Sequence, residues 1–394
     1  MGASLSGCGK EGTQASTTAG PSRRLAPVST QGAVSLSTRN TTRVGGSEPA
    51  ADAAAVARAV YPGLTSESRP ALVVVVNEQN WTASLAAAVL ASAPASAPLL
   101  FSDGNTLPQV SLESLEALRP GGLPALGGSQ VLEIATTAPL PRGLLVRRLS
   151  AAGRPPAAAA AVEHQLADAD GGSDPKQVIV MSSEAPRALQ MPAAGLAAES
   201  GAPILLVSAA KVPGATADVL AALHHPDIYV IDPSLLQSAT LSKLGRFGRV
   251  TSIGPSAAEG SSATPNSIAV SRFTDGTFGW GVKEPGHGLV FANATRPLDA
   301  PAAALLSASG DFGPLLLLEG AGAIPPALSS YLGDIQPAYT TAPQFQPVRG
   351  VYNHGWLIGD EQAISSVVQA EIDSLLEISP RKQSSTEEST SQSE

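Results

Sequence analysis

The chain has 394 residues, 43% of them hydrophobic but only 4% aromatic, and a net charge of −9. The acidic balance argues against the cationic face that nucleic-acid binders need, so no nucleic-acid partner is expected. No apolar run approaches the roughly 18 residues of a membrane-spanning helix, and the single cysteine, Cys8, excludes an intramolecular disulfide and any cysteine-cluster metal site.

Residues 1–38 are rich in Ser, Thr, Gly and Ala and show no apolar period, which predicts a flexible tether. Within it, Leu5-Ser6-Gly7-Cys8 matches a bacterial lipobox, where small residues before the cysteine let the processing peptidase approach. Cys8 is therefore the candidate lipidation site, with membrane attachment through the lipid. A signal of that class also has a basic start and an apolar core; seven residues precede Cys8. Met1 to Ser6 fits a myristoylation pattern as well, but one acyl chain anchors only marginally.

From Asn40 the chain runs NTTRVGGSEPAADAAAVARAVYPG: Arg-Val, a glycine turn, small residues, then a helix. A β-rich run follows (ALVVVV at Ala71), then an Ala-rich helix (from Ser84), a second strand (PLLF), a helix (LESLEAL) and a third strand, GLPALGG, near Gly122. Leu144 opens a second, weaker copy. It continues through QVIVM at Gln177, MPAAGLAAES at Met191, PILLV, the helix ADVLAAL and IYVID at Ile228. Arg249 opens a third with RVTSIG, followed by GLVFA at Gly288, an Ala-rich helix from Asp299, PLLLL, PALSSYL and VYNHGWLIG at Val351. The tail 381–394 is too polar to bury a core and is expected to be disordered.

One phrase thus occurs three times: APLLFSDGNTLP at Ala97, APILLVSAAKVP at Ala202 and GPLLLLEGAGAIP at Gly313, with starts 105 and 111 residues apart. A period of that size gives modules of ordinary domain size. The boundaries are 39–143, 144–248 and 249–380. Apolar runs alternating with helices predict an α/β class: three repeated three-layer sandwiches, each with a mostly parallel sheet.

This order of motifs resembles the bacterial cell-wall-binding repeat, type 2. The family's Pro-Ile-Leu-Leu falls on Pro98-Leu99-Leu100, Pro203-Ile204-Leu205-Leu206 and Pro314-Leu315-Leu316. Its Leu-Pro falls on Leu107-Pro108, Val212-Pro213 and Ile324-Pro325. Its closing strand falls on Ile228 to Ile231 and on Trp356 to Gly359. The Arg-rich opening segment keeps only Arg43 with Gly45-Gly46 in the first copy. The resemblance implies three domains packed as a triangle that hold an envelope protein to an anionic wall polymer. Arg43, Gly45 and Gly46 then become the candidate ligand-binding residues: a planar guanidinium beside a glycine turn with free backbone donors.

Other constellations fall short. Gly320-Ala321-Gly322 sits where a dinucleotide-binding turn would, but the third glycine is replaced by Pro325. Asp168, Asp170 and Asp174 suggest a calcium loop, but its twelfth position is Ile179. His224 and His225 are adjacent and diverge by about 100° on a helix. No G-x-S-x-G elbow occurs. Trp81, Trp280 and Trp356 serve equally well as sugar-stacking platforms or packing anchors. The expectation is a non-catalytic cell-envelope protein without metal or cofactor. It would be extracytoplasmic, lipid-anchored or wall-associated, with a wall polymer or glycan as partner. An extracytoplasmic solute-binding lipoprotein, which would show two lobes around one cleft, and an α/β enzyme with an unrecognised site are the alternatives.

Overall fold

The computed structural model of the protein describes residues 34–149, 155–308, 313–339 and 351–380. Cys8, most of the expected tether and the tail 381–394 lie outside the described residues. The end of the expected tether is a correction: Val34–Ser37 is strand β1, antiparallel to β2 (Thr41–Gly45). Its Val-Ser-Leu-Ser alternation is a short strand pattern that the free edge of β2 completes.

The first module continues with α1 (Pro49–Val60), which carries proline at its first turn. Strand β3 (Val73–Asn77) opens with four consecutive valines, a β-branched run buried on both faces, and ends on Asn77. Helix α2 (Trp81–Ala87) is capped by Asn80, whose side chain accepts from Ala83 N, and runs on as a 3₁₀ turn, Ala88–Ala91. Then come β4 (Leu99–Ser102), α3 (Gln109–Leu118), β5 (Val131–Ile134) and β6 (Val146–Leu149). The third strand is therefore VLEI, not GLPALGG. Pro124 opens a short 3₁₀ turn there and ends any extended run.

The second module comprises α4 (Pro155–Ala169), β7 (Gln177–Ser182), α5 (Arg187–Gln190), α6 (Pro192–Ser200), β8 (Ile204–Val207) and α7 (Gly214–Ala222). It ends with β9 (Asp227–Ile231), α8 (Ser238–Leu244) and β10 (Arg249–Ile253). The third comprises α9 (Ala263–Arg272), β11 (Gly288–Asn293), α10 (Asp299–Ser307), β12 (Leu315–Leu318) and α11 (Pro326–Asp334). It closes with β13 (Ala338–Tyr339), β14 (His354–Ile358), α12 (Ser366–Leu376) and β15 (Ser379–Pro380), the short β13 and β15 pairing in parallel. The repeated Leu-Pro has one structural meaning: Pro108, Pro213 and Pro325 are the N-cap residues of α3, α7 and α11.

Three sheets result, with one shared order: β4-β3-β5-β6, β8-β7-β9-β10 and β12-β11-β14-β2, the last extended by β1. All pairings in them are parallel except β1 with β2. The fourth strand of every sheet is the opening strand of the next copy. Strand β6 opens the second copy yet completes the first sheet; β10 opens the third yet completes the second. Strand β2 opens the first copy and completes the third sheet, Thr41 lying opposite Gly355. The helix after each opening strand crosses to its own sheet: α1 packs on β4, α4 on β8, α9 on β12. Each copy is thus strapped to its predecessor, and the straps close a ring.

Alternate residues of each Pro-Leu-Leu strand face two cores. Leu99, Ile204 and Leu315 join one central apolar cluster that spans all three modules. Leu100, Leu205 and Leu316 face outward into three separate peripheral clusters. The central cluster is where α2 with its 3₁₀ extension, α6 and α10 pack on one another. Their surfaces are largely alanine, which lets three helix backbones converge. Gly195 sits at a close approach: a Cβ there would lie 2.9 Å from Ser307 Oγ. The abundant alanine thus serves helix-to-helix contact at the centre, beyond the helix-to-sheet contact suggested by the sequence.

Candidate functional site

In open parallel sheets, ligands gather at the carboxyl ends of strands where the strand order reverses. Here β3, β7 and β11 lie at such reversals. A pocket of about 450 Å³ opens at the carboxyl ends of β3 and β7, between the first and second modules. Its first-module side is Asn77, Gln79, Asn80, Trp81 and Thr82, the turn from β3 into α2. Its second-module side includes Ser183, Arg187 and Gln190, from the turn after β7 and from α5.

The pocket is built around Trp81. Its indole is only 8% exposed, so one surface of it forms wall while the body anchors the core. Its Nε1–H donates to Gln190 Oε1 at 2.5 Å. Gln190 Nε2 in turn donates to the carbonyls of Ser182 (2.9 Å) and Ala185 (3.2 Å). The buried amide therefore links the two loops and fixes the ring. The exposed guanidinium of Arg187 lies 5.9 Å from the Trp81 ring centroid, within cation–π range. It has no acidic partner among the described residues. Asn77 Oδ1 accepts from the backbone N–H of Gln79 and Gly104, which leaves its amide donors turned elsewhere. Gln79 Nε2 donates to Asp103 at 2.6 Å. The walls thus combine an aromatic surface, amide and hydroxyl groups, and one unneutralised cation. That mixture is suited to a hydroxyl-rich ligand carrying negative charge.

Arg43, Gly45 and Gly46 occupy a different place. Arg43 is 3% exposed. Its Nε donates to Gln369 Oε1 (3.1 Å), its Nη1 to the carbonyls of Gly359 (3.1 Å) and Asp360 (2.6 Å), and its Nη2 to Ile364 O (2.7 Å). Burial pushes its guanidinium below the ordinary arginine value. The fork thus ties β2 to the turn between β14 and α12. Gly46 N donates to Asp52 Oδ1 at 2.7 Å, so the turn's backbone donor is occupied from within. Gly45 adopts φ +139° and closely approaches Gly359. These three residues hold the ring closed; the pocket lies with other residues.

Trp280 and Trp356 pack against the central core. Asp168 pairs with Arg147 at 2.7 Å. Among the described residues, no group of three or more His, Cys, Asp or Glu is placed to hold a metal ion, and no helix is long and apolar enough to cross a membrane. Of the pocket residues, the sequence singled out Trp81 alone. Arg187 and Gln190 gave no signal because the partners that define them come from another module.

No family model matches the chain, and no curated protein matches it. Solved structures share its fold, two from Clostridium difficile among them. Cwp6 from Clostridium difficile superposes with a TM-score of 0.62 at 15% identity, over 88% of this chain and 51% of its own. Cwp8 from Clostridium difficile superposes with a TM-score of 0.63 at 15% identity, over 86% of this chain and 52% of its own. The match spans about half the length of either. The three-module α/β architecture expected from the repeats is thus one that known proteins adopt.

Proposed function

We propose that the protein is a non-catalytic component of the bacterial cell envelope that holds a wall polymer or glycan in the pocket between its first two modules. The observation that carries this reading is the Trp81 wall beside Arg187, which has no acidic partner among the described residues, framed by amides and hydroxyls. A pyranose ring stacks on an indole face, and a phosphate or carboxylate takes the planar guanidinium. The shared fold with two C. difficile cell wall proteins supports the setting. A net charge of −9 opposes long-range attraction of a polyanion. Binding would therefore be weak and local, set by this one cationic point. In the same reading a lipid on Cys8 tethers the modules to the membrane, within reach of the wall.

Sedimentation with purified walls from the source organism tests the proposal. Wild-type protein should pellet, Arg187→Ala should pellet several-fold less while keeping its fold, and salt should weaken both. Wild-type protein that stays in solution with walls present would overturn the reading. Release of soluble wall fragments over time would replace it with an enzymatic one.

A further inference from the structure

At the junction between the third and first modules, two buried carboxyls share one cation. Asp52 on α1 and Asp299, the first residue of α10, are both fully buried. Arg296 reaches Asp52 Oδ2 through Nη2 at 2.5 Å and Asp299 Oδ2 through Nε at 2.8 Å. Its Nη1 donates to Ser47 O at 2.8 Å. Asp52 Oδ1 accepts from Gly46 N. Asp299 Oδ1 is buried with no donor among the described residues, although the two carboxyls are within hydrogen-bonding reach of each other. Two negative groups against one positive leave an excess charge in the interior, and an uncompensated buried charge is strongly destabilising.

We propose that Asp52 and Asp299 share a single proton across this junction, so that the joint closing the ring tightens on acidification and loosens as pH rises. The proton supplies the donor that Asp299 Oδ1 lacks and cancels the excess charge. The internal repeat gives independent support. The α1 segment Asp52-Ala-Ala-Ala-Val56-Ala-Arg58 aligns with α9 as Asn266-Ser-Ile-Ala-Val270-Ser-Arg272. Asp299-Ala-Pro-Ala-Ala aligns with Gln190-Met-Pro-Ala-Ala. At the junction between the second and third modules the matching positions therefore hold two neutral amides. Asn266 there is also fully buried and donates to Leu189 O at 2.8 Å. In the second module the matching helix position is the buried Ala158. The place suits a neutral group, and a protonated Asp52 is the isostere of that asparagine.

Burial, then the neighbouring Asp299 carboxyl, raise the Asp52 carboxyl far above its ordinary range. Burial likewise raises Asp299, against the pull of Arg296. Asp360, in the turn after β14, adds negative charge on Asp299. Arg43 of β2, Glu48 and Arg58 of the α1 segment, Glu113 and Glu116 of α3 and Glu199 of α6 are the other charged groups of the elements packed here; Arg43 is buried and spends its donors on Gln369 and three carbonyls, and the rest are exposed. With folded values raised, the contribution is complete below the unfolded carboxyl value of about 3.9 and is lost as pH climbs through the folded values.

The test uses the full chain. Infrared spectra at pH 7 should show a carboxylic-acid carbonyl band that is lost in both Asp52→Asn and Asp299→Asn. In thermal or denaturant unfolding, the wild-type unfolding constant should rise by up to about tenfold per pH unit above pH 5, where the folded chain holds one extra proton. Asp52→Asn should flatten that dependence and match or exceed wild type at pH 8.5. If Asp52→Asn fails to fold, Asp299→Asn and the wild-type spectrum still decide. No acid band at pH 7, or the same pH dependence in wild type and variants, overturns the proposal.

Discussion

Replacing Arg43 by methionine distinguishes a structural tie from a ligand contact. Methionine keeps most of the side-chain volume and removes the fork. Four acceptors then lose their donor: Gln369 Oε1 and the carbonyls of Gly359, Asp360 and Ile364. A buried acceptor left unpaired costs about 1–3 kcal/mol. Water can reach the Asp360 side of the turn and the loops can relax, so the low end applies, giving about 4 kcal/mol in all. With a urea slope of about 3 kcal/mol/M, the midpoint should fall by roughly 1–2 M. Arg43→Lys should recover little, because an ammonium cannot reproduce a planar fork serving four acceptors. Sedimentation with walls, run where the variant is still folded, should match wild type. A wild-type urea midpoint, or weakened sedimentation in a stably folded variant, would refute the assignment and return Arg43 to the ligand.

Three further outcomes rest on the same packing. Gly45→Ala should destabilise by about 2 kcal/mol or more, since φ +139° disfavours any Cβ and that Cβ would overlap Asp52 Oδ1 and lie 2.6 Å from Gly359 N; a denaturant midpoint at or above wild type would contradict it. Leu205→Asp puts an unpaired charge at a fully buried position in the second sheet and should cost about 3–5 kcal/mol, read as a lost or sharply lowered thermal transition. Asp275 is held down to about 2 by the Tyr229 hydroxyl and then by the Thr277 backbone N–H. Its contribution is therefore present above the unfolded value of about 3.9 and lost as pH falls towards 2; Asp275→Asn should flatten the acid limb of an unfolding profile, and an unchanged limb would refute it.

The sequence carried the repeated architecture well, because Val73–Val76, Ile204–Val207 and Leu315–Leu318 are runs that only a doubly covered sheet can bury. It carried the connections between modules poorly. The opening segments around Arg43, Arg147 and Arg249 read as the starts of their own modules, yet their strands complete the preceding sheets. Strand pairing partners are chosen by tertiary contact, and nothing in a five-residue window states which sheet receives it. The misplaced third strand of the first copy has a local cause: GLPALGG carries apolar leucines, but its glycines and Pro124 make it a turn. The site divided along the same line. Trp81 stood out as a rare aromatic. The burial of Arg43 was invisible because every acceptor it binds lies more than 300 residues away.

That separation has a consequence for how the chain reaches its final state. Strand β2, near the start, has its pairing partner β14 near the opposite end. Closing so long a loop is slow more than it is costly, since the entropic term grows only logarithmically with length. The first two sheets can form in turn as synthesis proceeds, but β2 must wait, exposing the edge and apolar face it will later bury. A product cut short before residue 354 would stay open, a ready target for proteases and for strand exchange with a second copy. A circular permutant that joins the ends and opens the chain between the second and third modules would shorten that wait, and should fold faster at similar stability.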